Sequence, residues 1–454
     1  LFDAKTGGTA EEIVEVFDAF KAAGTPNPNT PAAADPKAAA SAAVAAARAT
    51  PPASLSSIPG AKPNHQPQRF WQHSQIIERG SDFVKRIDVA PRPNWQDEML
   101  RIGFDYHSVD GNYWQEDACY VFSEAQIDEI ERVTEELHKM YFAATRHVVQ
   151  TGDYARLGVN DVAAALIESS FKSQEPTLYG RFDLCYDGTN TPKMYEYNAD
   201  TPTSLFEGSV AQWYWLQAQS GELGDADQFN SIHERLMVEF KALKGESPLY
   251  FTAVASNEED YITTRYLQDV AVQAGLDTRF IDIHDIGHRT SDGKFVDLHD
   301  APIRHLFKLY PWEWLVEEDF GKHILSSGTQ FIEPAYKLLF SNKALLAVLW
   351  ELFPNHPNLL PAYLDESRLS EDFVKKPFFS REGANVSLHT SAGIETTDGI
   401  YGKEGHVYQQ AHDLPTFVNA KGQTMHTLIG SWIVGHSAAG IGVREDYTAI
   451  TKDT

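Results

Sequence analysis

The chain has 454 residues, enough for two or three domains, and its 42% hydrophobic and 12% aromatic content is that of a packed protein. Sixty-four acidic residues against 38 basic give a net charge of −26, which excludes the basic footprint of a non-specific nucleic-acid binder. The same balance suits a cationic substrate such as a polyamine, and equally a surface that is acidic for solubility.

Residues 1–25 carry an expected helix, with Thr9 as cap and Glu12 three residues on. Residues 26–62 are rich in Pro and Ala. Asp35 and Pro36 would open one helix there, but few large apolar residues exist to bury it. Residues 1–68 therefore read as a helix and tether without a catalytic constellation. The compact unit, 69–454, is expected to begin near Phe70-Trp71. Ser123 and Gln126 form a capping box for a long helix to about Gln150, which Gly152 closes. Its stripe is Ile127, Ile130, Val133, Leu137, Met140 and Ala144. His138 and His147 on that helix read as packing or surface residues, not ligands. Residues 248–284 read strand, helix, strand, an α/β unit with a right-handed crossover lying within about 245–330. A helix is expected from Ser341 through Trp350, stopping before Pro354. The last hundred residues alternate short strands with Gly-rich turns, so the fold class is α+β.

Cys119 and Cys185 form no CxxC pair, which removes a structural zinc or a redox dithiol. Cys185 reads as a small strand residue. No run reaches the ~18 apolar residues of a membrane span. The chain begins at Leu1 without a methionine, so its start is expected to be missing. No signal-peptide pattern is present, and a cytoplasmic location is expected.

Arg181-Phe182-Asp183 and Glu196-Tyr197-Asn198 are each expected to be strands, flanking a turn-rich Asp187–Pro192 segment. Side chains alternate with a period of two, so Arg181 and Asp183 share a face, as do Glu196 and Asn198. A hairpin would gather two carboxylates, an amide oxygen and a guanidinium. Hard oxygen ligands suit Mg²⁺ with nucleotide phosphates, and the arginine suits phosphoryl charge. The alternative is a solvated hairpin with a surface ion pair. Val374–Val386 holds a strand with Lys376, then a loop with Ser380, Arg381 and Gly383, which suits phosphate but also fits a basic surface hairpin. Val407–Gln410 reads as a strand able to meet an adenine or to fill a core. Arg444 follows the glycine-rich strand Gly440–Val443 and suits either a phosphate or a salt bridge. The absence of HExxH, GxSxG and Walker A patterns leaves a metalloprotease, an α/β-hydrolase and a P-loop enzyme without support.

Taken in order, Arg181–Asp183, Glu196–Leu205, Gln212–Trp215, Ser341–Ala344, Leu352–His356, Val374–Pro377 and Tyr408–Gln410 closely resemble the synthetase module of the glutathionylspermidine synthase family, from about residue 70 onward. The stand-alone acid–amine ligase members are the nearest in kind. The resemblance implies a circularly permuted ATP-grasp core with an inserted α/β, pre-ATP-grasp-like unit. It implies ATP and Mg²⁺ as cofactors, an acyl-phosphate intermediate, and a small-molecule or peptide carboxylate and an amine as substrates, with no nucleic acid and no membrane. By the same resemblance Asp183, Glu196 and Asn198 are the metal ligands, and Arg181, Arg381 and Arg444 face phosphate. Lys343, Lys376, Glu382, Gly383, Gln409, Gln410, Ala449 and Ile450 surround the nucleotide, and Thr201, Thr203, Glu258 and Glu259 contact substrate. The amidase domain of the bifunctional members has no counterpart here, the family continues a short way past the position of Thr454, and residues 1–68 lie outside the resemblance. Two other readings stand beside the ligase: an ATP-hydrolysing or ATP-sensing regulatory protein, and an interaction protein tethered by 26–62.

Overall fold

The computed structural model describes residues 83–451, apart from 110–112, 225, 244, 246, 370 and 371. The expected helices before residue 50 and the expected start near Phe70 lie outside the described residues. Strands β1 (Lys85–Asp88) and β2 (Ala118–Val121) pair antiparallel, with helix α1 (Trp95–Arg101) between them in sequence. Helix α2 (Glu124–Thr151) follows. Its capping box forms as the spacing predicts: Ser123 Oγ accepts from Gln126 N at 3.3 Å, and Gln126 Oε1 accepts from Ser123 N at 2.8 Å. Gly152 ends it in the left-handed region, at φ 69°. Asn160 caps α3 (Asp161–Lys172) in the same manner.

Strands β3 (Tyr179–Cys185) and β4 (Lys193–Asn198) form the expected hairpin, and helices α4 (Gln212–Leu223) and α5 (Ile232–Ala242) come next. The α/β unit is β5 (Leu249–Ala253), α6 (Glu258–Gln273) and β6 (Thr278–Asp282), with β5 and β6 parallel as expected. A small hairpin, β7 (Gly287–Arg289) and β8 (Lys294–Val296), precedes β9 (His305–Leu309), the short helices α7 (Trp312–Leu315) and α8 (Ile324–Ser327), and β10 (Gln330–Ile332). These give a parallel four-stranded sheet in the order β10-β9-β5-β6.

The helix expected from Ser341 begins only at Leu345 and stops before Pro354 as expected, and a separate helix precedes it. Helix α9 (Lys337–Ser341) stops where α10 (Leu345–Leu352) has not yet begun. Asn342 causes the break: it is extended (ψ 115°), its Nδ2 donates to Leu157 O at 2.7 Å, and its Oδ1 accepts from Ala344 N at 2.8 Å. An Asn side chain competing for backbone groups favours such an interruption.

The remaining strands are β11 (Ala362–Tyr363), β12 (Phe373–Pro377), β13 (Ser387–Thr390), β14 (Gly393–Thr396), β15 (His406–Gln410), β16 (Thr416–Val418), β17 (Thr424–Val434) and β18 (Ser437–Asp446). The last two are long, unlike the short strands expected there. Strands β11-β15-β12-β13-β14 make one antiparallel sheet; β16-β17-β3-β4, with β18 also on β17, make another.

That second sheet has two different faces. Phe182 and Tyr197 stack across β3 and β4 with centroids 3.8 Å apart, and Tyr141 of α2 meets both edge-on. One core cluster thus lies on the α2 side, and the opposite face carries Arg181 and Asp183 next to a second cluster around Tyr179 and Trp432. Two fully buried ion pairs fasten the α/β unit to the ends of β3 and β4. Lys308 Nζ lies 2.5 Å from Asp200 Oδ1, and Lys337 Nζ lies 2.9 Å from Glu333 Oε2 while donating to Tyr179 O and Ala199 O. Among the described residues no helix is long and apolar enough to cross a membrane.

Candidate active site

Strand β3 is buried along its whole length, and Arg181 and Asp183 are 4% and 2% exposed, which removes the reading of a solvated hairpin. Arg181 pairs with Asn198 in register, and Asp183 with Glu196. Beyond that point Tyr195 is an extra residue on β4, a bulge, so Leu184 faces Met194. Arg181 Nε donates to Asp183 Oδ1 at 3.0 Å, and Arg444 Nη2 of β18 reaches Asp183 Oδ2 at 2.5 Å. Asn198 Nδ2 lies 3.3 Å from both Asp183 Oδ2 and Glu196 Oε1. Gly430 of β17, opposite Asp183, allows Arg181 to lie flat. A Cβ there would stand 2.8 Å from Arg181 Cδ.

The break before α10 delivers Lys343 to this face. Its amide donates to Phe378 O at 2.8 Å, and its Nζ donates to Ser380 O at 2.6 Å and stands 3.4 Å from Glu196 Oε2. Lys376 of β12 is buried rather than on a basic surface hairpin. Its Nζ donates to Gln409 Oε1 at 2.8 Å and to Tyr195 O at 3.3 Å, above the Tyr195 ring. Burial alone would push the Glu196 carboxyl up, yet Lys343, Lys376 and Arg444 together hold it down at about 2. Burial takes Lys376 down to about 8, against the pull of Glu196. Gln409 is buried beside Lys376, and the Gln410 amide donates to Pro361 O at 2.8 Å. Gln410 also borders a pocket of about 360 Å³ with Trp350, Leu360 and Pro361.

The loop after β12 closes one side. Arg381 Nη2 donates to Glu313 Oε1 at 2.6 Å, and its Nη1 to Thr201 Oγ1. Glu382, Gly383 and Asn385 have φ of 50°, 66° and 53°. Gly383 packs on the chain end, where an added Cβ would stand 2.9 Å from Thr451 O and 3.4 Å from Ile450 Cγ2. Ile450 thus meets the loop. The Thr203 carbonyl accepts from Arg181 Nη1 at 2.6 Å. The pair Glu258 and Glu259 separates at the start of α6: Glu258 is exposed, whereas Glu259 turns toward Tyr106 and Tyr113. Asp260, the next residue, faces Arg381 and Glu382, and burial raises its carboxyl to about 6.

Cys185 keeps its expected structural role. It is buried against Leu414 and Leu428, and burial pushes its thiol up to about 12. The sequence reading missed Tyr195, Glu313, Asp260 and Glu207. Glu207 is buried and accepts from Tyr113 Oη at 2.6 Å, and burial raises its carboxyl. Glu313 comes 68 residues before Arg381 in the chain, beyond the reach of any local spacing.

The residues present fit a magnesium nucleotide. Two carboxylates and an amide leave a hard cation to complete its shell from phosphate and water. Among the described residues no group of three or more His, Cys, Asp or Glu is poised to hold a metal without such help. The buried Nε atoms of Arg381 and Arg444 have no hydrogen-bond partner, as donors awaiting an anion would not.

The family profile described as glutathionylspermidine synthase preATP-grasp matches residues 86–454. The "Putative acid--amine ligase" of Haemophilus influenzae is 46% identical over 387 residues, covering 81% of this chain and 97% of that protein. The trypanothione synthetase of Crithidia fasciculata is 26% identical, covering 70% of this chain. The bifunctional glutathionylspermidine synthetase/amidase of Escherichia coli is 24% identical, covering 79%. The chain spans only 52% and 62% of those last two proteins. The chain belongs to the glutathionylspermidine synthase family. The relatives carry the names of ligases that form C–N bonds, and this chain is a member of that enzyme family.

Proposed function

We propose that this protein is an ATP- and Mg²⁺-dependent carboxylate–amine ligase working through an acyl phosphate, on a circularly permuted ATP-grasp core. The observation that carries the reading is the convergence of Arg181, Asp183, Glu196, Asn198, Lys343, Lys376 and Arg444, from four parts of the chain, on one face of the β3–β4 hairpin. Asp183, Glu196 and Asn198 would hold Mg²⁺, which supplies charge neutralisation at the phosphate oxygens. Lys343, Lys376 and Arg444 screen the phosphates so that an anionic carboxylate can approach them. The substrate carboxylate oxygen attacks the terminal phosphorus as the bond to ADP breaks. The amine nitrogen then attacks the acyl carbon, phosphate leaves, and the nitrogen gives up its proton. Arg381, Glu382 and Gly383 cover the reacting groups and exclude water, which would otherwise hydrolyse the acyl phosphate.

A glutathione-like peptide beside Thr201 and Thr203, and a polyamine beside Glu259, are the substrates this reading favours. Glu259, turned toward Tyr106 and Tyr113, and the neighbouring Asp260 offer carboxyl oxygens on that side to which an amine can donate. The two free cysteines and the use of ATP fit the cytoplasm. The test is incubation with ATP, Mg²⁺ and pools of peptides and amines, followed by mass spectrometry. One condensed product for each ADP is expected. ADP formation without a condensed product from any pool would transfer the assignment to a regulatory ATPase.

A further inference from the structure

Arg381 is carried by one layer of the protein and ends on another. Its loop is anchored from behind: Val386 N donates to Thr397 Oγ1 at 2.9 Å, Thr397 Oγ1 donates to Gly383 O, and Asn385 Nδ2 donates to Tyr401 O at 2.5 Å. Forward, the guanidinium crosses to Thr201 and to Glu313 of α7. Glu313 stands on a fixed base. The Trp312 amide donates to Asp200 Oδ2 at 2.8 Å, its Nε1 donates to Glu333 O at 3.1 Å, and its ring lies 4.6 Å from Lys308 Nζ. Of the two forward anchors, only Glu313 carries a charge of its own and so makes an ion pair with the guanidinium. With both Nη atoms held, the direction of the third, unpartnered edge at Nε is set.

We infer that Glu313 is a positioning residue of the ligation reaction: from the α/β unit it clasps Arg381 and so seats the phosphate-covering loop. This rests on the ligase reading. Other acidic groups near the guanidinium are Asp200 and Asp260, with Tyr401 alongside. Without Glu313 those groups draw Arg381 away from its seat. Two non-glycine residues in the left-handed region, Glu382 and Asn385, favour release of the loop once the clasp is gone. Water then reaches the acyl phosphate, and its acyl group goes to hydroxide instead of the amine, so ADP and phosphate form without amide.

The first arm of the test uses the protein alone. Backbone hydrogen exchange of residues 380–386 is expected to quicken about tenfold in Glu313→Gln and equally in Arg381→Gln, with no further gain in the double variant, since both act on one contact. Unchanged exchange in Glu313→Gln, or additive effects, overturns the clasp. If Glu313→Gln does not fold, Arg381→Gln removes the same contact from the other side, and unchanged exchange in that variant overturns the clasp as well. The second arm uses MgATP, glutathione and spermidine. Amide formed per ADP should fall at least fivefold in Glu313→Gln with KM for ATP within twofold, a split that a general loss of structure does not give. Wild-type coupling in the variant overturns the proposal. Failure of the wild type to turn over counts against the ligase reading, and the exchange arm still decides the clasp.

Discussion

Glu196→Gln removes a charge on which three cations depend. The wild-type carboxyl is held at about 2 instead of its usual 4.5, by Lys343, Lys376 and Arg444 acting against burial. At ~1.36 kcal/mol per pKa unit, that interval corresponds to about 3 kcal/mol of folded-state stabilisation. Because the folded value is depressed, this stability is complete above about pH 4.5 and is lost as pH falls toward 2. In the variant the amide keeps the shape but leaves the cations to repel one another. Urea unfolding of nucleotide-free protein, followed by ellipticity at pH 7, 5, 4 and 3, should show the variant weaker by about 3 kcal/mol at pH 7. The gap should narrow steadily below pH 4.5. A gap of constant size from pH 7 to pH 3 would refute the reasoning, since lost packing has no such pH dependence.

Arg381→Ala should keep the wild-type circular dichroism spectrum and lose on the order of 10²–10³ in ligation rate, the usual cost of one transition-state contact; normal ligation by the folded variant removes Arg381 from the reaction. Lys376 loses its proton near pH 8, so calorimetric ATP affinity should weaken as pH rises from 7 to 9, and Lys376→Arg should flatten that profile. Gly430→Ala forces a Cβ to within 2.8 Å of the pinned Arg181 side chain; a loss of about 1–3 kcal/mol by chemical denaturation is expected. In Ser341→Ala the amides of Ala199 and Asp200 lose the hydroxyl that accepts from both, at 3.0 and 2.9 Å. About 2 kcal/mol or more should disappear in the same assay.

Local chemistry was readable from the chain because it acts over a few residues. The capping box at Ser123, the Gly152 terminus, the β3–β4 hairpin and the β5–α6–β6 unit each follow from turn residues, caps and periodicity. The shared face of Arg181 with Asp183, and of Glu196 with Asn198, follows from the strand period alone, and the family motifs supplied the lysines. The two-helix break at Asn342 was not readable, because a short apolar run looks the same whether or not one amide side chain bonds to Leu157 across the fold.

Which residues carry the chemistry is therefore largely a property of the sequence, since residue type and strand alternation fix what each short segment can present. Which charges meet is a property of the tertiary structure. Only the packing of β18, α10 and β12 around β3 and β4 brings Arg444, Lys343 and Lys376 to Glu196 and Asp183. Only the placement of α7 gives Arg381 its carboxylate, and the exposure of Glu258 beside the inward-turned Glu259 was likewise decided by packing. The physical reason is range. Propensity and capping act through neighbouring peptide units, whereas ion pairs and burial are set by contacts between segments the chain itself keeps far apart.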